Sequence, residues 1–457
     1  MTRARGAVLG LAGLCVPALA ATVLAQTLRA EDVPPRLSFD LSANLRQASN
    51  PDLVVTGGAS DTTAALRFGL NYAAVTRDQD FRLGLTGALD GTGLTDPRVT
   101  LSYDRKGATS ALGFDLTLTD DPVDLFEPQV QPDGSLSYGD LAAASGRIKT
   151  TNAALSLQTG TTGPLGFDLE ARAFDRDYSQ TNDPSVYDSA SQSLRLTAHL
   201  RNVAGGEISL GLGAQTARQD DLVQTRRESR SLTLSYGRAL DGATQLQASL
   251  GMTRAETTEL GQTAAASTGL TGALGLKRDL GNGTAELGFE LTRDARGPRS
   301  ALRFGRSLKL ASGEFAAELG FGARQGEGGA ATGRLSWTQD LASDRISVAL
   351  SRQVVASETD ADSLQSSLRA DWSHDLAETR RLGLTYSLSA IEGTGEGGAT
   401  IDGVTRQSLR ASFAQDLGRD WALTTGVELR QSDRDSTGKA EDQAIFLTLA
   451  RRFVLLP

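Results

Sequence analysis

Arginines and carboxylates recur at every second position of many short runs in this chain, with apolar residues between them. In the run 36–46, leucine, phenylalanine and alanine alternate with serine, aspartate, asparagine and arginine. Side chains of a β-strand point to opposite faces with a period of two, so each run has one apolar and one charged face. A charged residue facing lipid near the bilayer midplane costs roughly 2–4 kcal/mol, so these charges must line water or pair with each other.

The mixture of both signs leaves two interpretations open for the charged face. It is either a ladder of cross-strand ion pairs that stiffens a wide wall, or a lining that selects among solutes. The lumen-lining candidates are Arg67, Arg82, Asp115, Glu170, Arg172, Arg195, Glu290, Arg303, Arg334, Arg369, Asp371, Arg410, Glu428 and Arg430.

The longest connection between two runs, 119–146, is strongly acidic. Its constriction-loop candidates are Asp120, Asp121, Asp124, Glu127, Asp133 and Asp140, with a single base, Arg147, just beyond its end. In general porins the third outer loop folds inward and narrows the pore, and a similar arrangement here would favour cations. The alternative is an exposed, solvated loop, which is the usual state of acidic segments that contain glycine and proline.

Motifs for catalysis are missing from the sequence. The two histidines, His199 and His374, lie far apart, and we expect neither to have a second metal ligand nearby. A Ser-His-acid site would have to combine His199 with Ser193 or Ser209, and no phosphate-binding glycine loop opens a helix. We therefore predict that the protein is not an enzyme and has no cofactor and no metal site.

The alternating runs recur in units of 37–40 residues from about Pro35 onward, without a helical period. Ten short Asp-, Asn- and Gly-rich turns alternate with eleven longer connections, which gives 22 strands, with a range of 20–24. We predict an all-β fold, a closed antiparallel transmembrane β-barrel without a plug domain, with short turns on the periplasmic side.

Aromatic residues support a membrane environment, because they cluster beside the short turns. A ring at the periplasmic interface is expected from Tyr72, Tyr103, Tyr236, Trp337 and Trp372 before turns and Phe81, Phe315 and Trp421 after them. The last strand resembles the terminal assembly signal of bacterial outer-membrane proteins through Ile445, Leu447, Leu449 and Phe453. It departs from that signal because four residues follow Phe453 and Arg451 interrupts the apolar face.

The N-terminus reads as a cleaved signal peptide, 1–25, with a basic start and a short apolar core. A short lead, 26–35, and the barrel, 36–457, would follow. Without the two arginines of the signal, the 46 basic and 55 acidic residues leave a net charge of −11, which excludes nucleic acid as a partner. The only cysteine lies within the signal. We predict export to the bacterial outer membrane.

Three segments resemble large plug-less barrels found beside exopolysaccharide genes: Arg36–Gln47, Ser49–Leu53 and Leu66–Leu70. The resemblance implies an outer-membrane location and a role in glycan export. Together with the barrel pattern, we predict a channel or porin for small hydrophilic solutes or glycan. The alternative is an outer-membrane scaffold with a blocked lumen. TonB-dependent transporters share the strand number but need a plug domain, and we expect that family to be excluded. The expected partners are outer-membrane lipid, the barrel assembly machinery and polysaccharide or small solutes, with the chain acting as a monomer.

Overall fold

The computed structural model describes residues 33–91, 93–126, 129–130, 136–137, 146–181, 186–201, 205–325, 328–356, 362–393 and 403–456. Within them, a single sheet of 22 antiparallel strands is closed on itself, because each strand pairs with the next and the last pairs with the first. This confirms the predicted all-β barrel and its strand number. No helix among the described residues is long and apolar enough to cross a membrane. The expected signal peptide lies outside the described residues.

The strands of the barrel are much longer than the two strands of a small hairpin in the third outer connection. The first group is β1 (Val33–Ala48), β2 (Asp61–Val75), β3 (Gln79–Asp90), β4 (Gly93–Lys106) and β5 (Ser110–Pro122), followed by the hairpin β6 (Gln129–Val130) and β7 (Leu136–Ser137). The second group is β8 (Arg147–Thr159), β9 (Leu165–Ser179), β10 (Ser189–Arg201), β11 (Gly206–Gln219), β12 (Arg226–Ala239), β13 (Thr244–Thr258), β14 (Ala265–Leu280), β15 (Gly283–Asp294) and β16 (Gly297–Leu310). The third group is β17 (Gly313–Arg324), β18 (Gly329–Asp340), β19 (Asp344–Ala356), β20 (Asp362–Ala377), β21 (Arg380–Gly393), β22 (Val404–Gly418), β23 (Trp421–Arg434) and β24 (Gly438–Leu456).

Barrel closure depends on β1, which pairs with β2 on one side and β24 on the other. Leu45 lies opposite Ala64 in β2 and opposite Leu447 in β24, so apolar residues continue around the seam on one face. Since side chains alternate in every strand, this register places all leucine-rich positions on the outward face and the charged positions on the inward face.

The ten predicted short turns all connect described strands, and their chemistry is local. The turn between β22 and β23 consists of Arg419 and Asp420, both at positive φ (53° and 64°), as a two-residue hairpin turn requires. In the turn before β13, the Asp241 carboxylate accepts hydrogen bonds from the backbone N–H groups of Ala243 and Thr244, which hold its pKa below the usual value. On the opposite rim, the β3–β4 and β15–β16 connections span only two residues each, at 91–92 and 295–296.

The aromatic residues predicted to form a ring do lie on the outward face near the short turns. Tyr72 packs edge-on against Phe81 at 6.1 Å, and Phe315 lies opposite Trp337. In the last strand, the Arg451 guanidinium lies over the rings of Phe453 (4.5 Å) and Trp421 (5.3 Å). Cation–π contacts thus hold the Arg451 charge of this face against aromatic rings.

Candidate binding surface inside the barrel

The register places all 14 lumen-lining candidates on one continuous inward face. Inward residues that lie opposite each other on neighbouring strands include Arg67 and Ser42, Glu170 and Arg195, Glu318 and Arg334, and Arg410 and Glu428. The alternating positions carry exposed leucines instead, for example Leu194 at 50% and Leu319 at 72% exposure. The inner wall of the barrel is therefore a polar surface that the sequence pattern builds strand by strand.

Several inward charges pair with neighbours on the same or the adjacent strand. Arg369 donates to Asp371 (2.9 Å) and Arg82 to Asp80 (2.7 Å), each within one strand. Arg303 in β16 contacts Glu290 in β15. All of these arginine side chains are about half exposed, so each pair contributes at most about 1 kcal/mol of stability. These contacts stiffen the wall only slightly and leave the charges accessible to a solute.

Other inward arginines have no carboxylate oxygen within 4.0 Å among the described residues. They are Arg172, Arg195, Arg334 and Arg410. Arg410 instead lies 4.0 Å above the ring of Phe446, an inward aromatic residue that is 7% exposed. The Phe446 ring fits there because Gly426, opposite it, has no side chain: a Cβ at that position would lie 2.6 Å from Phe446 Cζ.

The two halves of the wall differ in charge. From β16 through β24 to β2, arginines outnumber carboxylates in the middle and outer parts of the wall. These arginines are Arg46, Arg67, Arg299, Arg303, Arg324, Arg334, Arg369, Arg406, Arg410, Arg430 and Arg434, against Asp61, Glu318, Asp371, Glu428 and Asp442. From β3 to β15 the same parts of the wall carry Arg98, Arg172, Arg176, Arg195 and Arg227 against Asp90, Asp115, Asp121, Glu170, Glu290 and Asp294, so the signs are nearly balanced. A concave wall with excess positive charge raises the local concentration of anions.

A buried carboxylate organises the outer end of the basic half. The Asp442 side chain is completely buried, and its Oδ2 accepts hydrogen bonds from Arg430 (2.7 Å) and Arg46 (3.3 Å). Its Oδ1 accepts the backbone N–H of Asn50 (2.9 Å). Asp442 therefore ties the first outer loop, 49–60, to the inner wall. The sequence analysis missed this residue, because only the pairing of β24 with both neighbours reveals its partners.

The third outer loop begins inside the mouth of the barrel. Leu125 and Val123 form a buried apolar cluster with Leu53 of the first loop and Ala440 of β24, and Ile148 and Tyr178 pack against it. The Arg430 guanidinium lies 5.7 Å from the centre of the Phe126 ring. We call residues 49–60 and 123–126 the mouth cap. It links β24, through Ala440, to β9, through Tyr178. Six strands lie between these two around the rim, so the mouth cap narrows the outer opening.

The constriction-loop candidates are only partly within the described residues. Asp121 pairs with Arg98 (3.3 Å), and Asp120 pairs with Arg147 (2.7 Å), while the Asp124 carboxylate accepts the backbone N–H of Phe126 (2.8 Å). Glu127, Asp133 and Asp140 lie outside the described residues. The described part of the loop thus enters the mouth through apolar residues, and its acids are held by arginines or by the backbone.

The surroundings of the histidines differ from the sequence-based expectation. His199 lies between two carboxylates, with Nδ1 2.9 Å from Glu207 and Nε2 2.9 Å from Asp168. Arg201 also donates to Glu207 (2.9 Å). His374 contacts Asp344 (2.8 Å) and stacks on Trp372. Neither arrangement groups three metal-ligating side chains around one point, and no such group occurs among the described residues.

Comparison with solved structures gives the same barrel across nearly the whole chain. The open form of the ferric-catecholate import receptor Fiu from E. coli K12 matches with a TM-score of 0.58 at 10% identity, over 94% of this chain and 82% of that chain. The FrpB iron transporter from Neisseria meningitidis matches with a TM-score of 0.58 at 8% identity, over 92% and 83%. The copper transporter OprC matches with a TM-score of 0.53 at 13% identity, over 94% and 82%. No family model and no curated protein matches the sequence.

These matches correct three predictions. The resemblance to exopolysaccharide-associated barrels is wrong, because the matched structures are import receptors and metal transporters. The expected passive channel, porin or blocked scaffold is wrong for the same reason, and so is the exclusion of the TonB-dependent transporters on the basis of fold. The similarity at this level of identity shows a shared fold, a 22-strand barrel like those of outer-membrane receptors, and the matched proteins are receptors and transporters.

Proposed function

We propose that this protein is an outer-membrane import receptor for a small anionic metal chelate. The observation that carries the proposal is the excess of arginines on the inner wall from β16 to β2, in a barrel that matches a ferric-catecholate import receptor over 94% of the chain. An iron complex of catecholates is anionic, because each catecholate oxygen is deprotonated. Arginine binds such oxygens through charge-assisted hydrogen bonds.

The wall favours a chelate over a bare metal ion. A bare cation such as copper needs several ligating side chains around one point, and the described residues contain no such group. Arg334 and Arg410 instead present guanidinium groups without a carboxylate partner among the described residues. Recognition in this barrel would therefore depend on the net charge of the complex rather than on direct coordination of its metal.

The proposal also covers the mouth cap, export, assembly and the oligomeric state. We propose that the barrel has no separate plug and that the mouth cap restricts the outer opening in its place, because Leu125 of the third loop reaches the apolar cluster beside β24. A cleaved signal peptide, assembly through the terminal strand and a monomeric state belong to the same proposal. Ile445 and Leu447 are exposed on the outward face, and Phe453 packs against Phe39 of the first strand at 6.1 Å.

Iron uptake tests this function directly. The full chain would be expressed in a Gram-negative host that lacks its own ferric-catecholate receptors, and radioactive iron would be supplied as a ferric catecholate or as a neutral ferric hydroxamate. We expect uptake of the catecholate and little uptake of the hydroxamate. Equal uptake of both complexes, or uptake of neither by a heat-modifiable and correctly located barrel, would overturn the proposal.

A matched pair of variants tests the role of the wall. Arg334→Gln with Arg410→Gln removes two charges from the basic half, and Arg172→Gln with Arg195→Gln removes two from the balanced half. A hydrogen bond to a charged group contributes about 1.5–3 kcal/mol, so the first variant should bind the chelate at least about 100-fold more weakly. The second should change binding much less. A larger effect of the second variant would contradict the assignment of the basic half.

A further inference from the structure

Four arginines form a patch on the outward face of three consecutive strands. Arg218 lies in β11, Arg226 and Arg230 in β12, and Arg254 in β13. The register sets Arg218 opposite Arg226 and Arg230 opposite Arg254. We call these four residues the outer arginine patch. It is separate from the inner wall, because alternate residues of the same strands face the lumen.

The patch lies directly above an apolar band. One step toward the turns, Leu232 is opposite both Leu212 and Met252, and all three are about half exposed. In β12 the apolar outward residues lie between Arg230 and Arg238, which are about 27 Å apart along the strand at 3.4 Å per residue. With the strand tilt of a membrane barrel, this becomes roughly 20 Å across the bilayer, close to the usual apolar band of about 25 Å. The patch therefore sits at the headgroup level on the loop side.

The patch keeps a positive excess after its internal ion pairs are formed. Glu228 pairs with Arg226 (2.7 Å) and Arg230 (3.7 Å), and Glu256 pairs with Arg254 (3.0 Å). A third carboxylate, Asp175 of β9, interacts electrostatically with Arg218 across β10, so three carboxylates serve four guanidinium groups. The side chains of Arg226, Arg230 and Arg254 are 62%, 78% and 64% exposed. Like charges directly opposite each other on a sheet are destabilising, so an external anion between Arg230 and Arg254 would relieve a repulsion built into the wall.

We propose that the outer arginine patch binds the phosphate-bearing headgroup of a lipid in the surrounding outer leaflet. Guanidinium groups bind phosphate with two parallel hydrogen bonds, and the acyl chains of the same lipid would pack on Leu212, Leu232 and Met252. The proposal rests on the outer-membrane location in the proposed function but not on chelate import. It assigns the lipid-facing surface of β11–β13 a specific ligand class rather than general lipid contact.

Native mass spectrometry of the detergent-purified full chain tests the site, with bisphosphorylated lipid A and its dephosphorylated form as probes. The test variant is Arg230→Gln with Arg254→Gln. The matched control is Arg238→Gln with Arg278→Gln, which removes two outward arginines at the turn end of the same sheet region. Heat-modifiable migration on a gel verifies that each variant is folded. Titration with inorganic phosphate in a separate arm distinguishes an ion site from a lipid site.

The expected result is selective loss of phosphorylated lipid. One arginine at a charged membrane surface contributes about fivefold in binding, so the test variant should bind bisphosphorylated lipid A about 25-fold more weakly. The control variant and the dephosphorylated lipid should show no such change. Equal binding of both lipids, or equal loss in both variants, would overturn the proposal, as would saturable binding of inorganic phosphate that Arg230→Gln with Arg254→Gln abolishes. Iron uptake by the test variant should stay at the level of the unchanged chain, so failure here is distinguishable from failure of the import function.

Discussion

Replacement of Asp442 by asparagine should destabilise the barrel and release its mouth cap. The buried carboxylate has two tasks: Oδ1 holds the backbone N–H of Asn50, and Oδ2 accepts hydrogen bonds from Arg430 and Arg46. An asparagine can keep the first contact through its carbonyl oxygen. Its amide group would then face two guanidinium groups and could not accept their hydrogen bonds.

The expected loss follows from the exposure of the partners. Breaking a buried ion pair on one side costs about 3–5 kcal/mol, because the other charge is left buried. The Arg430 side chain is 12% exposed and the Arg46 side chain is 30% exposed, so water compensates part of this loss. We expect the free energy of unfolding to fall by about 3 kcal/mol.

Urea titration of the refolded chain in lipid vesicles measures this change. Asp40→Asn is the matched control, because Asp40 pairs with Arg452, whose side chain is 66% exposed. The control should lose no more than about 1 kcal/mol. The Asp442 variant should also admit a large antibiotic into cells, since Arg430, which donates to the Pro51 carbonyl of the first loop, is no longer held by the carboxylate. A loss in Asp442→Asn no greater than in Asp40→Asn would refute the assignment of Asp442 as the anchor of the cap.

Three further substitutions test single contacts of the wall, each measured by the same urea titration. Gly426→Ala should cost about 1–3 kcal/mol, because its Cβ would lie 2.2 Å from the Ala411 carbonyl oxygen, whereas Gly288→Ala meets no atom within 4 Å and should be nearly neutral. Arg451→Gln should cost about 1 kcal/mol through lost cation–π contacts, with Arg451→Lys retaining part of it; equal losses would argue against these contacts. His199→Gln should cost about 1–2 kcal/mol, because one donor to Asp168 or Glu207 is lost; a neutral result would show that the carboxylates are solvated independently.

The strands and short turns were predictable from the sequence because their determinants are local. Alternation fixes which residues share a face, and the Asp-, Asn- and Gly-rich turns fix where each strand reverses, as at Arg419 and Asp420. The two-residue outer connections, such as 91–92, were not identified, because they are as short as the turns of the other rim and lack the length expected of an outer loop.

The site was less predictable because its contacts join distant parts of the chain. The segment Ser49–Leu53 contributed to the mistaken family resemblance, yet its physical role is to dock on Asp442, some 390 residues later. The run Leu66–Leu70 shows only the alternation that any barrel strand needs. His199 acquires its two acids from the neighbouring strands β9 and β11. Each of these contacts depends on how neighbouring strands are aligned in the closed sheet. Sequence patterns indicate which residues of one strand share a face, but not which residues of the next strand lie opposite them.

The charge of the inner wall also shows why the composition of the whole chain is a poor guide to the charge that a solute in the lumen would meet. The whole chain has a formal net charge of −9, and its long third connection is acidic, which favoured cations in the sequence analysis. The barrel separates these charges: the acids of the described third-loop segment are bound at the rim, while Arg334, Arg410 and Arg430 face the lumen on one side. A solute in the lumen experiences the nearby wall far more strongly than the distant rim, because charges beyond about 8–10 Å are largely screened at physiological salt. In the proposed function, selectivity would therefore follow from which strands carry the arginines, and an anionic ligand would be compatible with an acidic protein.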